Sequence, residues 1–191
     1  MKKYRVAVLI SGNGSNLQAL INAARESDYP AEIVLVISNK KDAYGLVRAK
    51  EAGIDSYVIE HKAYNSREDF DKALDERLDE YSIEIVCLAG FMRILSSEFV
   101  EKWQGRMLNI HPSLLPDFKG AHAVRDALLA GVSESGCSVH MVTSELDGGE
   151  VIAQRKVPVL PEDNEESLHS RIHEQEYIIY PEAIKSLIRK L

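Results

Sequence analysis

Apolar runs rich in β-branched residues alternate with helix-like segments over the first two thirds of this chain. Each such run predicts a buried strand, and apolar residues at helical spacing predict a helix. The predicted strands are 5–10, 32–38, 54–59, 84–89 and 107–110. Because helical segments separate them, we expect a parallel sheet with right-handed crossovers.

The last third of the chain has a different pattern. Residues 138–143 and 150–159 alternate between apolar and polar positions, which predicts antiparallel strands at the edge of the sheet. Residues 164–189 predict a long closing helix, which Tyr180–Pro181 is expected to bend or split. The predicted fold class is therefore α/β: a single domain, 1–191, with a doubly wound, mostly parallel sheet and antiparallel edge strands.

Capping residues predict where several helices start. Ser66 takes an N-cap position, and Asp69 stands where a capping box usually has Glu or Gln. Ser96 caps a second, short helix. A further helix is predicted over 120–130, with His122 in its first turn.

Composition narrows the classes of function. The chain has 191 residues, 45% hydrophobic and 28% charged, which fits one globular domain with a full core. A formal net charge of −7 argues against general nucleic-acid binding. Two cysteines are too few for a disulfide framework, and Cys87 is expected to be buried. The apolar run 6–10 is too short for a signal peptide or a membrane span, so we expect a soluble cytoplasmic protein.

A glycine-rich turn follows the first strand. Residues 11–16 read Ser-Gly-Asn-Gly-Ser-Asn, and a helix starts there. Backbone N–H groups at a helix start favour a phosphate group, and glycines let it come close. Leu17 replaces the third glycine of a dinucleotide-binding motif, and the lysine of a P-loop is absent. We therefore expect a phosphate monoester here; a capped turn without a ligand is the alternative.

Other candidate residues also follow strand ends, where ligands bind in sheets of this class. Residues 91–95, Phe-Met-Arg-Ile-Leu, either pack in the core or wall a pocket for a flat heterocycle. Asn109 and His111, two residues apart on an extended backbone, point to the same side. Either they belong to a functional site, or their side chains only form hydrogen bonds with the backbone of the following loop. Asp147, in Asp-Gly-Gly between the last two strands, is a site residue or simply a turn residue.

Four motifs in chain order resemble those of a known family. They are ISGNGSN at 10–16, AGFMRIL at 89–95, LNIHPSLLP at 108–116 and LDGG at 146–149. Over essentially its whole length the chain resembles the phosphoribosylglycinamide formyltransferase family of folate-dependent enzymes. The resemblance implies a formyltransferase-type Rossmann-like fold. It also implies that 10-formyltetrahydrofolate donates a formyl group to the amine of glycinamide ribonucleotide in purine biosynthesis.

The resemblance further implies which residues form the site. The catalytic set is Asn109, His111 and Asp147. The ribonucleotide-binding residues, with the phosphate site first, are Gly14, Ser15, Asn16, His173 and Glu176. The folate-binding residues are Arg67, Met92, Arg93, Ile94, Leu95, Asn109, Thr143 and Asp147. The N-terminal half would thus bind the ribonucleotide phosphate, and the C-terminal half folate. One departure is Lys119, since many members have Pro before the following Gly.

These residue types suit formyl transfer. The reaction passes through a tetrahedral intermediate that carries an oxyanion, and the substrate's own amine is the nucleophile, so no enzymic Ser or Cys is required. Asn109 can donate an amide hydrogen bond to the oxyanion, and a protonated His111 can do so more strongly. A carboxylate beside a histidine favours the protonated form, and Asp147 is the candidate.

Several other roles are weighed against this one. No metal is expected, because the histidine pair His169 and His173 lacks accompanying acidic or Cys ligands. A tRNA formyltransferase would need a C-terminal RNA-binding domain, and a formyltetrahydrofolate hydrolase an extra N-terminal domain. A non-catalytic nucleotide-binding protein is the alternative from another class. We expect small-molecule substrates, neither nucleic acid nor membrane as partner, and a monomer or weak homodimer.

Overall fold

The computed structural model describes residues 2–191, whose strands form one seven-stranded sheet. In chain order the strands are β1 (Tyr4–Ile10), β2 (Ala31–Ser38), β3 (Asp55–Val58), β4 (Ile85–Leu88), β5 (Met107–His111), β6 (Glu134–Met141) and β7 (Val151–Pro158). They lie in the order β3-β2-β1-β4-β5-β6-β7. Strands β1 to β5 are parallel, and β6 and β7 run antiparallel to their neighbours. The predicted sheet is therefore confirmed.

Helices connect the parallel strands and close the chain. They are α1 (Ser15–Ala24), α2 (Gly45–Glu51), α3 (Arg67–Glu80), α4 (Ser97–Lys102), α5 (Ala123–Leu129) and α6 (Glu165–Ile188), with a short 3-10 turn at His61–Ala63. The two predicted serine caps are confirmed. The hydroxyl oxygens of Ser66 and Ser96 accept from the N–H groups of Asp69 and Phe99, at 3.0 and 3.3 Å.

The segment before α5 differs from the prediction. Helix α5 begins at Ala123, so His122 lies at its N-cap and not in its first turn. Phe118 and Gly120 have φ angles of +52° and +90°, which a right-handed helix cannot include, so the helix cannot start at residue 120. Strand β6 also begins earlier than expected, because Glu134 already pairs with Pro158 of β7.

The predicted split at Tyr180–Pro181 is wrong. Helix α6 runs without interruption from Glu165 to Ile188 and contains Pro181. Buried residues on both sides of the proline, including Tyr180 and Ala183, pack into the core. Tertiary packing thus outweighs the hydrogen bond that the proline removes.

Both faces of the sheet are covered by helices. Val8 and Ile10 of β1 pack into a core with residues of α1 and α6, while Ala7 and Leu9 pack into a second core with residues of α3 and α4. This confirms the doubly wound arrangement. Cys87 is buried, as expected, and unpaired. Among the residues described, no helix combines the length and apolar character needed to span a membrane.

Connections leave β1 toward β2 on one side and return to β4 on its other side. This reversal of strand order opens a crevice at the carboxyl ends of β1 and β4, where open α/β sheets bind ligands. The glycine-rich turn follows β1, residues 91–95 follow β4, and Asn109 lies on the adjacent β5. The fold therefore brings the predicted segments to one edge of the sheet.

Candidate active site

Ser11 ties together the segments that follow β1, β2 and β4. Its hydroxyl group donates to Oδ1 of Asn39 at 2.6 Å and accepts from the backbone N–H of Met92 at 2.7 Å. Ser11 and Asn39 are both buried, so water does not compete for these bonds. The glycine-rich turn and the segment 91–95 are consequently held side by side.

Asn109 is oriented by a residue on the neighbouring strand. It lies opposite His140 in the β5–β6 ladder, with its Nδ2 atom 3.2 Å from His140 Nε2. Nδ1 of His140 lies 2.9 Å from the Met141 carbonyl oxygen, which can only accept, so Nδ1 carries the proton. Nε2 of His140 lies within reach of both the Asn109 amide and Oδ1 of Asp147, so it accepts from the amide when unprotonated and donates to the carboxylate when protonated. One amide N–H is fixed in this way, and the second is left for a ligand.

His111 is buried at the end of β5, and both of its ring nitrogens face oxygen atoms. Nε2 lies 2.9 Å from the carbonyl oxygen of Phe118, so Nε2 carries a proton and the ring is held in one orientation. Nδ1 lies 3.5 Å from Oδ2 of Asp147. A ring with acceptors at both nitrogens suits the doubly protonated imidazolium, which has two N–H donors.

Asp147 lies in a turn within the loop 142–150. The N–H of Gly148 donates to the carbonyl oxygen of Glu145 at 3.1 Å, which closes the expected turn around Asp147. Asp147 itself has φ +49°, a left-handed conformation that Asp tolerates better than most residues. The turn therefore aims a buried carboxylate inward instead of leaving it in solvent.

Three groups surround the Asp147 carboxylate. Oδ2 accepts from the Gly120 N–H at 2.9 Å, and Oδ1 lies 3.5 Å from His140 Nε2. Burial acts to raise the pKa of Asp147, but hydrogen bonding from His140 and Gly120, together with the nearby His111, outweighs it. The pKa is held below the usual range of a carboxyl, so Asp147 is ionised at neutral pH.

His140 is the site residue that sequence reasoning missed. It contacts both Asn109 and Asp147, and it is only 2% exposed. The signal lies in the pairing of β5 with β6, which sets His140 opposite Asn109. Some twenty residues separate the two strands, so their register cannot be read from turn length in the way that a tight hairpin allows.

A second buried cluster lies where α1 meets α6. Nδ2 of Asn16 donates to Oε2 of Glu176 at 2.8 Å, while the buried Oδ1 of Asn16 has no hydrogen-bond partner among residues 2–191. Burial raises the pKa of Glu176 to about 7, against the lowering effect of the Asn16 bond. This pair therefore has one acceptor without a partner and one carboxyl group whose pKa is close to neutral pH.

His173 borders this cluster on α6. Its Nε2 atom lies 3.9 Å from Oε2 of Glu176, and its ring centroid is 4.0 Å from that of His169. Burial, and then the neighbouring His169, lower the pKa of His173 to about 4, so it is neutral at pH 7. Among residues 2–191 no group of three or more His, Cys, Asp or Glu side chains could hold a metal ion.

The residues predicted to bind folate differ in exposure. Met92 and Ile94 are 70% and 61% exposed, whereas the Leu95 side chain is buried in the core. A ligand can therefore reach Leu95 only through its backbone. Thr143 is exposed, and its hydroxyl group donates to the Glu145 carbonyl oxygen at 3.3 Å.

Arg67 and Arg93 lie close to the buried Asp71. Burial raises the pKa of Asp71, while hydrogen bonds from Ser96 and the charges of Arg67 and Arg93 oppose the rise. Arg93 Nε is buried and has no partner within the described part of the chain. Two cations thus flank one carboxylate beside the exposed apolar side chains.

Tyr180 joins α6 to strands β4 and β5. Its hydroxyl group lies 2.9 Å from the Leu88 carbonyl oxygen and 3.2 Å from that of Leu108. Leu108 precedes Asn109, and Tyr180 is one helical turn beyond Glu176. No hydrogen bond within residues 2–191 joins the Asn109–Asp147 cluster directly to Asn16 and Glu176. Both nevertheless lie at the same edge of the sheet.

Comparison with known proteins identifies the family. The sequence pattern of the formyl transferase family matches residues 4–184. This chain belongs to the formyl transferase family. The resemblance seen in the four sequence motifs is therefore confirmed.

Relatives of this chain occur as separate proteins and as parts of larger ones. It is 52% identical over 176 residues to phosphoribosylglycinamide formyltransferase of Escherichia coli, which covers 92% of this chain and 83% of that protein. It is 56% identical over 184 residues to the trifunctional purine biosynthetic protein adenosine-3 of Bos taurus, covering 96% of this chain. The chain spans only 18% of the length of that bovine protein.

Solved structures of formyl transferases share the fold. Glycinamide ribonucleotide transformylase 1 from Symbiobacterium toebii has a TM-score of 0.93 and 49% identity, over 95% of this chain and 86% of that one. Phosphoribosylglycinamide formyltransferase from Brucella melitensis has a TM-score of 0.92 and 47% identity, over 96% and 94%. The predicted formyltransferase-type fold is therefore confirmed, while the roles of the individual site residues stay predictions.

Proposed function

We propose that this chain transfers the formyl group of 10-formyltetrahydrofolate to the amine of glycinamide ribonucleotide. The products are formylglycinamide ribonucleotide and tetrahydrofolate, in purine biosynthesis. The observation that carries the proposal is the cluster of Asn109, His111 and Asp147, in which the buried side chains of His111 and Asp147 are 3.5 Å apart. Relatives named phosphoribosylglycinamide formyltransferase, about half identical to this chain, support the choice of substrates.

In the proposed mechanism, Asn109 and His111 stabilise the oxyanion of the tetrahedral intermediate. The second N–H of the Asn109 amide donates to the developing negative charge, because the first is held by His140. The Phe118 carbonyl fixes the His111 ring through Nε2. The proton on Nδ1 faces Asp147 across a gap too long for a strong hydrogen bond, so it can be shared with a substrate oxygen or the leaving nitrogen.

In this mechanism the negative charge of Asp147 favours the protonated form of His111. A carboxylate with a lowered pKa remains ionised while His111 gives its proton to the leaving nitrogen and regains one from the attacking amine. The amine of the ribonucleotide is the nucleophile, and an α-amino group with pKa of about 7.7–8.0 is partly neutral at pH 7. The protein therefore has to position the reactants and stabilise charge, and it does not have to form a covalent intermediate.

We assign the ribonucleotide to the other buried cluster. Backbone N–H groups of Gly14, Ser15 and Asn16 at the start of α1 would bind its phosphate. The unpartnered Oδ1 of Asn16 and the carboxyl of Glu176 would accept hydrogen bonds from its polar groups, with His173 as a neighbouring contact. Such a ligand would satisfy the acceptor that the free protein leaves unpaired.

We assign folate to the surface beside residues 91–95. The exposed side chains of Met92 and Ile94 would cover its flat ring, and backbone groups of Arg93 and Leu95 would fix its edge. Arg67 would attract its carboxylates, and Thr143 and Asp147 would line the opposite side, with Asn109 between the two substrates. These contacts are assigned because the residues match the folate-binding positions of the family.

The decisive experiment measures tetrahydrofolate formation with and without glycinamide ribonucleotide. We expect product only when both substrates are present, because the ribonucleotide supplies the nucleophile. Product without the ribonucleotide would indicate a formyltetrahydrofolate hydrolase. Ribonucleotide binding without any product would indicate a non-catalytic nucleotide-binding protein. Either result would overturn the proposal.

Three further properties belong to the same proposal. The reaction needs no metal ion, because Asn109 and His111 supply the oxyanion donors, so a chelator should leave the rate unchanged. A cytoplasmic location and a monomer or weak homodimer, acting on small molecules and not on nucleic acid or membrane, follow the family. Sedimentation at two protein concentrations would test the oligomeric state.

A further inference from the structure

The glycine-rich turn rests against the start of α2. The N–H of Gly45 donates to the Gly12 carbonyl oxygen at 3.1 Å. A Cβ atom added to Gly14 would lie 2.6 Å from the Gly45 Cα atom, closer than any side chain allows. Gly14 also has φ +74°, which favours glycine. The shape of this turn therefore depends on α2 as well as on its own residues.

The Arg48 side chain of α2 binds the glycine-rich turn through Asn13. Its Nε and Nη2 atoms donate to the backbone oxygen and to Oδ1 of Asn13, both at 2.9 Å. A third nitrogen, Nη1, lies 3.4 Å from Oε1 of Gln18 in α1. The guanidinium group thus holds Asn13, the residue between the two glycines of the turn, in a fork of two parallel bonds.

The charge of Arg48 is not neutralised by the protein. Within residues 2–191 no carboxylate lies within ion-pair distance of its guanidinium group. Its other neighbour is the Tyr44 ring, whose centroid lies 4.9 Å from Cζ and which leaves the charge intact. Neutral acceptors could hold a neutral donor equally well, so a clamp alone does not require this permanent cation.

We propose that Arg48 is a positioning residue for the phosphate group of the substrate. It fixes the turn through Asn13 and leaves an unpaired positive charge beside it, where a dianionic phosphate would bind. The inference rests on the proposed function, since the substrate is taken to be a ribonucleotide. Arg48 would add a cation to this phosphate site, whose other groups are backbone N–H groups and uncharged side chains of the glycine-rich turn.

The test compares Arg48→Met with a control variant, Lys50→Met, which removes a cation from the same helix. The Lys50 side chain is exposed and makes no hydrogen bond to another described residue. We expect Arg48→Met to raise the KM for glycinamide ribonucleotide about tenfold. The kcat and the KM for 10-formyltetrahydrofolate should stay within about twofold of wild type. With the dephosphorylated substrate, glycinamide riboside, the two variants should match, because the phosphate is then absent.

Three results would overturn this inference. They are an unchanged ribonucleotide KM in Arg48→Met, an equal loss with the riboside, and an Arg48→Lys variant no better than Arg48→Met. The Lys variant restores charge without the fork, so we expect it to recover part of the affinity. A wild-type protein without formyl transfer would count against the proposed function instead, and calorimetric binding of the ribonucleotide to wild type and Arg48→Met would still test Arg48.

Discussion

Two carboxyl groups of this protein are both buried, yet their pKa values are shifted in opposite directions. Asp147 is 9% exposed and Glu176 is 3% exposed. The pKa of Asp147 lies below its usual value, and that of Glu176 rises to about 7. The difference comes from their neighbours, because Asp147 faces two histidines and a backbone N–H, whereas Glu176 receives one amide hydrogen bond.

The comparison shows how one site can hold carboxyls of two kinds. The reaction centre needs a carboxylate that stays ionised, and the hydrogen-bond donors around Asp147 keep it ionised by lowering its pKa. The ribonucleotide end has few donors until a ligand arrives, so Glu176 remains near its midpoint at neutral pH. Each of the following predictions changes one side of this contrast.

The largest effect is expected from Asp147→Asn. The amide keeps the shape of the side chain but removes the charge that favours an imidazolium at His111, so kcat should fall about 10³-fold. Ribonucleotide affinity should change little, because Glu176 and Asn16 are untouched. Steady-state kinetics and ribonucleotide titration would check both parts.

Glu145→Gln is a matched control for that change. It removes a carboxylate from the same loop, but one that is exposed and paired with Lys119 at 2.8 Å. Turnover close to wild type is expected for this control. If Asp147→Asn also turned over like wild type, Asp147 would be no more than a turn residue.

A smaller effect is expected from His140→Ala. Removing this partner raises the pKa of Asp147, because the lowering effect of its hydrogen bond is lost. Activity that requires the ionised carboxylate is lost as pH falls, so the acid limb of the pH–rate profile should move to higher pH. The kcat should fall about tenfold, since the Asn109 amide also loses its anchor.

The control for His140→Ala is His169→Ala, which removes a histidine outside the Asn109–Asp147 cluster. Its pH–rate profile should keep the acid limb of the wild type. An acid limb that also stays in place in His140→Ala would show that His140 does not tune Asp147.

The smallest effect on catalysis, but a clear one on stability, is expected from Glu176→Gln. Glu176 binds its proton more tightly when folded, so its contribution to stability is present below pH 4.5 and is lost as pH rises through about 7. That loss amounts to at most ~3 kcal/mol. Glu176→Gln stays neutral, so it should match wild type at pH 4 and unfold at higher urea concentration than wild type at pH 8. Equal midpoints at pH 8 would contradict a raised pKa.

Much of this arrangement could be predicted from the sequence because it is local. Each strand is a short apolar run, and the serine caps are set by neighbouring residues. The resemblance of four motifs to a known family implied that Asn109, His111 and Asp147 form one set. By contrast, the contact of His140 depends on a strand register set across a long connection, and the continuity of α6 through Pro181 depends on tertiary packing.

The contrast between the two carboxyls was also out of reach of the sequence. Glu176 lies on an ordinary helix, and only the fold reveals that a single side chain, Asn16, bonds to it. The contact of Arg48 with the glycine-rich turn could not be predicted from the sequence either. Arg48 stands 35 residues from Asn13 along the chain, and the packing of the start of α2 against the turn brings them together.

A carboxyl ¹³C NMR titration of the free protein tests the central claim most directly. Spectra of Asp147→Asn and Glu176→Gln assign the two resonances by their disappearance. We expect the Glu176 resonance to titrate with a midpoint near 7, and the Asp147 resonance to show no midpoint above its usual 3.8. A Glu176 midpoint near 4.5, or an Asp147 midpoint near neutrality, would contradict this account of the site.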